Sequence, residues 1–199
     1  MYLHIVLITI LFLLTGCGES LAITPQEKVV AEKIGQESAN TVLRTMMMKL
    51  MEEVQKDGPV GAAKFCSENV HDLTKEIKKE LKKGVSIKRV SQKNRNPKNA
   101  PTAQEQKAID FFTTKIKSKE DVPEKHLVKN NENGQVFVNY YKPLYVAPLC
   151  LNCHGNPQKM SPKLVEMLKK KYPQDKAVGF KPGDFRGVLK VSIPVALLK

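Results

Sequence analysis

The stretch from Val136 to His154 reads VFVNYYKPLYVAPLCLNCH and sets the clearest fold signal of the chain beside its clearest chemical motif. Its first part, Val136 to Val146, is rich in β-branched and aromatic side chains, which predicts a strand. Its last part, Cys150 to His154, lies between Pro148 and Gly155, and this flanking predicts a loop rather than a helix. The pattern therefore indicates a strand that leads directly into two cysteines and a histidine.

The spacing Cys150-Leu151-Asn152-Cys153-His154 is that at which c-type haem is attached to proteins. The two thiols can form thioether bonds with the porphyrin, and the adjacent histidine can bind the iron as an axial ligand. Cys-x-x-Cys also occurs in redox dithiols, zinc sites and short-loop disulfides. The flanking argues against a dithiol, and no second Cys-x-x-Cys supports zinc. The motif predicts one covalent haem c on Cys150 and Cys153, although spacing alone leaves these alternatives open.

The N-terminus has the pattern of an export signal. Leu3 to Leu14 form an apolar run that is too short to span a bilayer but is typical of a signal-peptide core. The run ends in Leu14-Thr15-Gly16-Cys17, which resembles the lipobox of bacterial lipoproteins and implies lipidation of Cys17. We expect a signal peptide over residues 1–16, a tether over 17–25, and a membrane-anchored lipoprotein facing the periplasm or the cell exterior. Because Met1-Tyr2 lacks the usual basic residue, an uncleaved hydrophobic anchor is the alternative.

Cys66 is the thiol that remains once the other three cysteines are assigned to lipid and haem. An unpaired cysteine in an exported protein needs burial or a function, because an oxidising compartment otherwise pairs or oxidises it. In a helix from Pro59 to about Lys83, Cys66 shares one apolar stripe with Val70, Leu73, Ile77 and Leu81. Two interpretations are equally supported by this pattern: a small buried hydrophobic residue, or a thiolate bound to the iron opposite His154.

Four segments with distinctive sequences follow one another along the chain: Ala62 to Ser67 (AAKFCS), Arg95 to Pro101 (RNPKNAP), Tyr141 to Tyr145 leading into Cys150 to Gly155, and Gly183 to Gly187 (GDFRG). Together they resemble a family of exported, PAS-like c-type haem-binding domains, formerly a domain-of-unknown-function family, here as a stand-alone lipoprotein. The resemblance extends over nearly all of the mature chain. Family members are similar in using the motif histidine and an upstream helical cysteine as axial ligands.

This resemblance implies that His154 and Cys66 are the axial ligands of the iron. Competing candidates are His71, His126 and the run Met46-Met47-Met48. Adjacent methionines on a helix are more typical of a core than of a ligand, and His126 is expected to be solvated because its surroundings are polar.

The mature chain, residues 17–199, has the length of one domain, and residues 26–199 are expected to form a single haem-binding PAS-like domain. The helices are predicted first, from Gln26 to Lys56, closed by Asp57-Gly58-Pro59, then through Cys66, and later at about 103–118 and 162–172. Strands are predicted near 85–90, 136–146 and 187–195, with a turn at 130–134. This order predicts an α+β fold, a PAS-like antiparallel sheet with a long N-terminal helix and helices packed on one side.

The chain is strongly basic, with a formal net charge of +13. An exported lipoprotein rarely meets nucleic acid, so we expect no nucleic-acid partner. The segment from Lys75 to Lys98 holds ten Lys or Arg against two Glu. Such a run is usually a solvated face, and it can also hold the domain near anionic lipids or steer an acidic partner. Arg89, Arg95 and Lys142 are candidates for contacts with haem propionates.

An iron with two protein ligands has no open coordination position, so we do not expect an enzyme. One function is a sensor, in which a redox change or a diatomic gas weakens the Cys66 bond and a protein partner detects the result. The other is a one-electron carrier cytochrome c. Sensing is preferred because of the PAS-like resemblance and because ligand exchange slows reversible electron transfer. A haem enzyme that acts after Cys66 dissociates is a third, weaker alternative.

Overall fold

The computed structural model describes residues 21–199, without the side chains of Val70 and His71. The predicted signal peptide, the lipidation of Cys17 and the start of the tether therefore lie outside the described residues, and so does the side chain proposed as a competing ligand, His71. Within the described part of the chain, no helix combines the length and the apolar character that crossing a bilayer requires.

The chain opens with a long helix, α1, over Pro25–Glu80, which reverses direction at Gly58. Gly58 has φ +66°, a conformation that a glycine adopts without steric cost, and Pro59 follows it. The Nζ of Lys49 lies 5.3 Å from the ring centroid of Phe65. In a continuous helix these residues would be about 24 Å apart along the axis, so α1 is a helical hairpin. The break predicted at Asp57-Gly58-Pro59 is confirmed.

Four strands form one antiparallel sheet: β1 over Ser86–Val90, β2 over His126–Glu132, β3 over Gln135–Tyr145 and β4 over Phe185–Pro194. Their order across the sheet is β1-β4-β3-β2. For β2, the sequence pattern predicted a turn at 130–134 but no strand. A two-residue turn with positive φ at Asn133 and Gly134 pairs β2 with β3, as such turns do in hairpins.

Three further helices complete the fold: α2 over Ala103–Lys117, α3 over Leu151–His154 and α4 over Pro162–Lys171. Short 3-10 turns span Pro97–Asn99, Pro148–Cys150, Pro157–Lys159 and Val195–Leu197. Both α1 and α2 begin with a capping box, formed by Thr24 with Glu27 and by Thr102 with Glu105. The reciprocal bonds satisfy backbone N–H groups that would otherwise lack partners at the helix start.

The sheet is covered on both faces. The face that we call the α1 face carries Val138, Tyr140, Leu189, Val191 and Ile193, which pack on Ala31, Ile34, Ala39, Val42 and Ile77 of α1. The opposite face, the α2 face, carries Val90, Tyr141 and Val188, which pack on Ala108, Ile109 and Phe112 of α2. The α+β prediction with a long N-terminal helix and an antiparallel sheet is confirmed. The helices do not all lie on one side, because the central strand β4 presents apolar residues in both directions.

A charged network crosses the α2 face. The carboxylate of Glu105, whose side chain is 3% exposed, lies 2.6 Å from the Nζ of Lys88 and 3.6 Å from that of Lys190. Lys190 also lies 2.8 Å from the carboxylate of Glu132. Burial raises the pKa of Glu105, but the hydrogen bonds from Lys88 and the Thr102 backbone and the two lysine charges outweigh it, so the pKa is lowered.

We expect this network to make the stability of the fold depend on acid pH. A carboxyl whose folded pKa is lowered contributes stability above the unfolded pKa of about 4.3, and this contribution is lost as the pH falls through the folded value. Glu105→Gln should lower the free energy of unfolding by about 3 kcal/mol at pH 7, because it leaves Lys88 and Lys190 without their shared partner. It should also reduce the acid dependence of that free energy, measured by urea unfolding from pH 7 to 3.

The matched control is Glu120→Gln, which removes the exposed pair between Glu120 and Lys115. A surface pair of this kind contributes about 0 to 1 kcal/mol, so the control should unfold nearly as wild type does. If both variants lost the same free energy of unfolding, the network on the α2 face would stabilise the fold no more than an exposed ion pair does.

Candidate functional site

The Cys-x-x-Cys-His motif begins five residues after β3 ends. Pro148–Cys150 forms a 3-10 turn and Leu151–His154 the single helical turn α3, where the sequence analysis expected a loop without helix. Pro148 supplies the fixed φ of a helix start, and Gly155 leaves the helix in an extended conformation (φ −76°, ψ −154°). This turn places the two cysteine side chains against different neighbours.

Cys150 packs against Val146, Ala177 and Phe180, whereas Cys153 packs against Ala63, Leu164 and Leu168. Both are free thiols, as is Cys66. The Sγ of Cys153 lies 4.0 Å from the carbonyl oxygen of Pro59 at the reversal of α1. The motif is therefore wedged between α4 and the second half of the α1 hairpin.

Cys66 lies two helical turns beyond Pro59 on that same half of α1. Of the predicted apolar stripe, Ile77 is fully buried and Leu73 and Leu81 pack against the core of the α1 face. Cys66 is only half-buried and lies outside that core. Cys66 lies close to the motif, because its charge contributes to raising the pKa of Cys153, for which burial is the main cause.

The thiol of Cys66 is held protonated by its surroundings. Burial raises its pKa, the charge of Glu53 acts in the same direction, and Arg89 and Arg95 partly oppose them. A metal ion is a strong enough local charge to reverse this balance and deprotonate a coordinating thiol.

The imidazole of His154 is held in one tautomer. Its Nδ1 lies 2.7 Å from the carbonyl oxygen of Ala177. Because a carbonyl oxygen can only accept, the proton resides on Nδ1 and the lone pair on Nε2. Burial is the main cause that lowers the pKa of His154 to about 3, and the charges of Arg95, Arg186 and Arg89 lower it further. His154 is thus a neutral imidazole at physiological pH, the form that binds metals.

Three arginines surround the motif, but only one has a carboxylate partner among residues 21–199. The Nε of Arg95 donates to Oδ2 of Asp175 at 2.8 Å. Arg186 donates through Nη1 to Ser91 Oγ at 2.8 Å and to the Lys93 carbonyl at 2.9 Å, and its buried Nε has no partner. Its pKa is lowered to about 10, mainly by burial and then by Arg89 and Arg95.

Arg89 lies beside the motif, close enough for charges on Cys150 and Cys66 to act on its guanidinium. Its side chain is exposed on β1, and surrounding protein lowers the pKa of the guanidinium. Both Arg89 and Lys142 pair in register with Leu189, so they stand in one row across the α1 face. The surroundings of the motif are therefore rich in positive charge, and Asp175 is the carboxylate that pairs with one of these cations.

The structure thus brings together Cys66, Cys150, Cys153, His154, Arg89 and Arg95, whereas Lys142 is placed only by its register row with Arg89. Arg95 is already engaged by Asp175, and its contact with a propionate stays a prediction, as do those of Arg89 and Lys142. Arg186 was missed as a site residue, although it lies within the distinctive GDFRG segment. The roles of Asp175 and Ala177 had no signal in the sequence.

Two competing ligand candidates lie elsewhere. His126 stacks on Phe111 of the α2 face with ring centroids 3.9 Å apart, and burial lowers its pKa, so the expectation that it is solvated is wrong. Met46 packs against the core of the α1 face, while Met47 and Met48 are exposed by 39% and 65%. In the described residues, no group of three or more His, Cys, Asp or Glu has a metal-binding arrangement.

The donor set is chemically suited to a haem. Two thiols can form the thioether bonds, His154 offers a lone pair on Nε2, and Cys66 offers a third sulfur. Among residues 21–199, the buried Nε of Arg186 has no partner, and Arg89 is a further cation beside the motif, so both suit the two carboxylates that such a macrocycle carries. The residues present therefore fit this group.

Comparison with known proteins agrees with the fold. The cyanobacterial haem protein Tll0287, known from a crystal structure, superposes with a TM-score of 0.55 at 26% sequence identity, over 86% of this chain and 96% of Tll0287. No curated protein shows significant sequence similarity. The family model described as Tll0287-like matches residues 26–194. The lipoprotein status stays a prediction, but the resemblance to the family drawn from the four sequence segments is confirmed, and the chain belongs to the Tll0287-like family.

Proposed function

We propose that the chain binds one haem c through thioether bonds to Cys150 and Cys153, with His154 and Cys66 as axial ligands of the iron. The observation that carries this proposal is the convergence of the three thiols and the Nδ1-anchored imidazole, beside Arg89 and Arg186, which lack carboxylate partners among residues 21–199. The similarity to the haem protein Tll0287 supports it. When bound, the haem supplies one-electron chemistry and affinity for diatomic gases.

In this proposal, each residue beside the motif acts on a different part of the haem site. Ala177 fixes the imidazole of His154 so that Nε2 remains available. Arg89 and Arg186 neutralise the haem carboxylates, and Lys142, in the same register row as Arg89, adds a further cation. Arg89 and Arg95 favour the thiolate of Cys66, since both of their charges lower its pKa.

We favour sensing over electron carriage. Cys66 stands outside the core of the α1 face, whereas residues farther along the same helical segment, such as Ile77, are firmly packed. Release of Cys66 from the iron would therefore free one stretch of the hairpin without unfolding the rest, which is the two-state element that a sensor needs. A protein partner would detect this change. A one-electron carrier, which the basic surface suits, is the alternative function.

Covalent attachment is tested by maturing the full chain in a host that attaches c-type haem. We expect one haem per chain that survives denaturation, seen by mass spectrometry and by the pyridine haemochrome spectrum. The double variant Cys150→Ala with Cys153→Ala should lose covalent haem completely. Each single variant should show the spectrum of a haem with one thioether. Absence of covalent haem from wild type would refute the proposal.

Axial ligation is tested by Cys66→Ala, with Ser67→Ala as the matched control. Ser67 is the next residue of the helix, and its hydroxyl donates to the carbonyl of Lys64 at 2.9 Å. Cys66→Ala should abolish the low-spin thiolate spectrum of the ferric protein, whereas Ser67→Ala should retain it. An unchanged spectrum in Cys66→Ala would exclude this ligand.

Two further measurements on the wild type separate sensing from electron carriage. Carbon monoxide or nitric oxide binding by the reduced protein favours sensing, and reversible voltammetry without ligand loss favours carriage.

We also propose that the chain is exported and held at a membrane by lipid on Cys17, outside the cytoplasm. The apolar run and the lipobox-like tetrapeptide support this location. Two or three acyl chains would anchor the protein firmly. Wild type should fractionate with membranes and incorporate labelled fatty acid, and Cys17→Ala should lose the label. Unlabelled wild type that stays in the cytoplasmic fraction would contradict the proposal.

A further inference from the structure

A chain of hydrogen bonds links Arg95 and Asp175 to the imidazole of His154 through Ala177. Asp175 accepts from the Nε of Arg95 through Oδ2 and from the backbone N–H of Ala177 through Oδ1, each at 2.8 Å. The carbonyl oxygen of Ala177 then accepts from Nδ1 of His154 at 2.7 Å. One carboxylate therefore fixes the residue whose carbonyl oxygen holds the ring.

Arg95 also bonds directly to the backbone on both sides of the His154 ring contact. Its Nη2 donates to the carbonyl of Cys153 at 2.5 Å and to that of Ala177 at 3.3 Å. The Cys153 carbonyl stands at the end of α3, where helical carbonyls lack intrahelical partners. A single guanidinium thus fixes both the backbone just before His154 and the carbonyl that its ring contacts.

The pair is enclosed rather than superficial. The side chains of Arg95 and Asp175 are 14% and 12% exposed, and Ala177 is fully buried. A further backbone bond, from Lys176 N–H to the Asn94 carbonyl at 3.1 Å, ties the segment to the loop of Arg95. Removing two charges from water costs free energy, and only a well-formed ion pair with further hydrogen bonds offsets that cost. The Arg95–Asp175 pair therefore differs from a surface contact, which needs no such geometry.

We propose that Arg95 and Asp175 are positioning residues that set the tautomer and orientation of the His154 imidazole through the carbonyl of Ala177. This inference rests on the proposed role of His154 as an iron ligand. The second hydrogen bond of a ligating imidazole raises the basicity of its metal-binding nitrogen, so these two residues tune the reduction potential of the haem.

If Arg95 positions the His154 imidazole, its loss should shift the reduction potential in one direction, and if it acts only through its charge, in the opposite direction. Loss of the Ala177 contact makes His154 a weaker donor, which favours ferrous iron and raises the reduction potential. By charge alone, loss of the Arg95 cation lowers the potential, and loss of the Asp175 anion raises it. The positioning role therefore predicts shifts in the same direction for Arg95→Gln and Asp175→Ala, whereas charge predicts opposite ones.

The experiment measures the reduction potential of the full-length haem-loaded chain, together with the Nδ1 proton of His154 by ¹⁵N NMR. Arg95→Gln, Arg95→Lys and Asp175→Ala should all raise the potential and speed solvent exchange of that proton. Lysine keeps the charge but lacks the planar fork that reaches three acceptors, so it should not rescue. Asp184→Asn is the control, since its carboxylate bonds the backbone of Lys181 and does not contact His154.

Opposite shifts for Arg95→Gln and Asp175→Ala, or wild-type behaviour of Arg95→Lys, would overturn the inference. If Asp175→Ala does not fold, Arg95→Lys decides alone. A chain that carries no haem would refute the proposed function instead. In that case the Nδ1–H tautomer, measured by ¹⁵N NMR on the same full-length wild type and Arg95→Lys, still decides: loss of the tautomer in the variant supports positioning, and no difference refutes it.

Discussion

The reversal of α1 at Gly58 is the constraint on which the rest of the structure depends. The first half of the helix covers the α1 face of the sheet through Ile34 and Val42, and the second half returns along it so that Ile77 joins the same core. Only this return brings Cys66 to the motif that follows β3. The free energy comes from apolar burial along the hairpin, and a residue without a side chain permits the positive φ at the reversal.

The charges around the motif then decide which groups can lie there. Protein interiors rarely retain guanidinium groups without carboxylates, because desolvation of the charge is not repaid. Here Arg95 has Asp175, while Arg186 keeps a buried nitrogen without a partner among residues 21–199. Arg89 is exposed on β1 and adds its charge from there. Their combined field and burial keep the imidazole of His154 neutral. The same field that opposes a cationic histidine favours an anionic group, so the surroundings of the motif suit both a neutral imidazole and a negatively charged group beside it.

Much of the architecture could be predicted from local patterns. The helix break at Asp57-Gly58-Pro59, the start of α2 near Ala103 and the strands β3 and β4 agree with the structure, because caps, glycine–proline pairs and alternation act within a few residues. Strand β2 could not be predicted in this way. Its second half, Asn130 to Glu132, is polar, and its strand conformation depends on pairing with β3 and on the charged network with Lys190.

The sequence by itself determined the chemistry of the site: a motif of two cysteines and a histidine, and Cys66 as the thiol left to explain. Spacing within five residues is a local property, so no fold is needed to detect it. Only the tertiary structure decided which groups hold His154. Ala177 acts through its backbone carbonyl, which every residue type offers, and Arg95 and Asp175 are 80 positions apart. Such partners meet only when the sheet and the α1 hairpin have packed, because the hydrogen bonds follow from geometry and not from residue pattern.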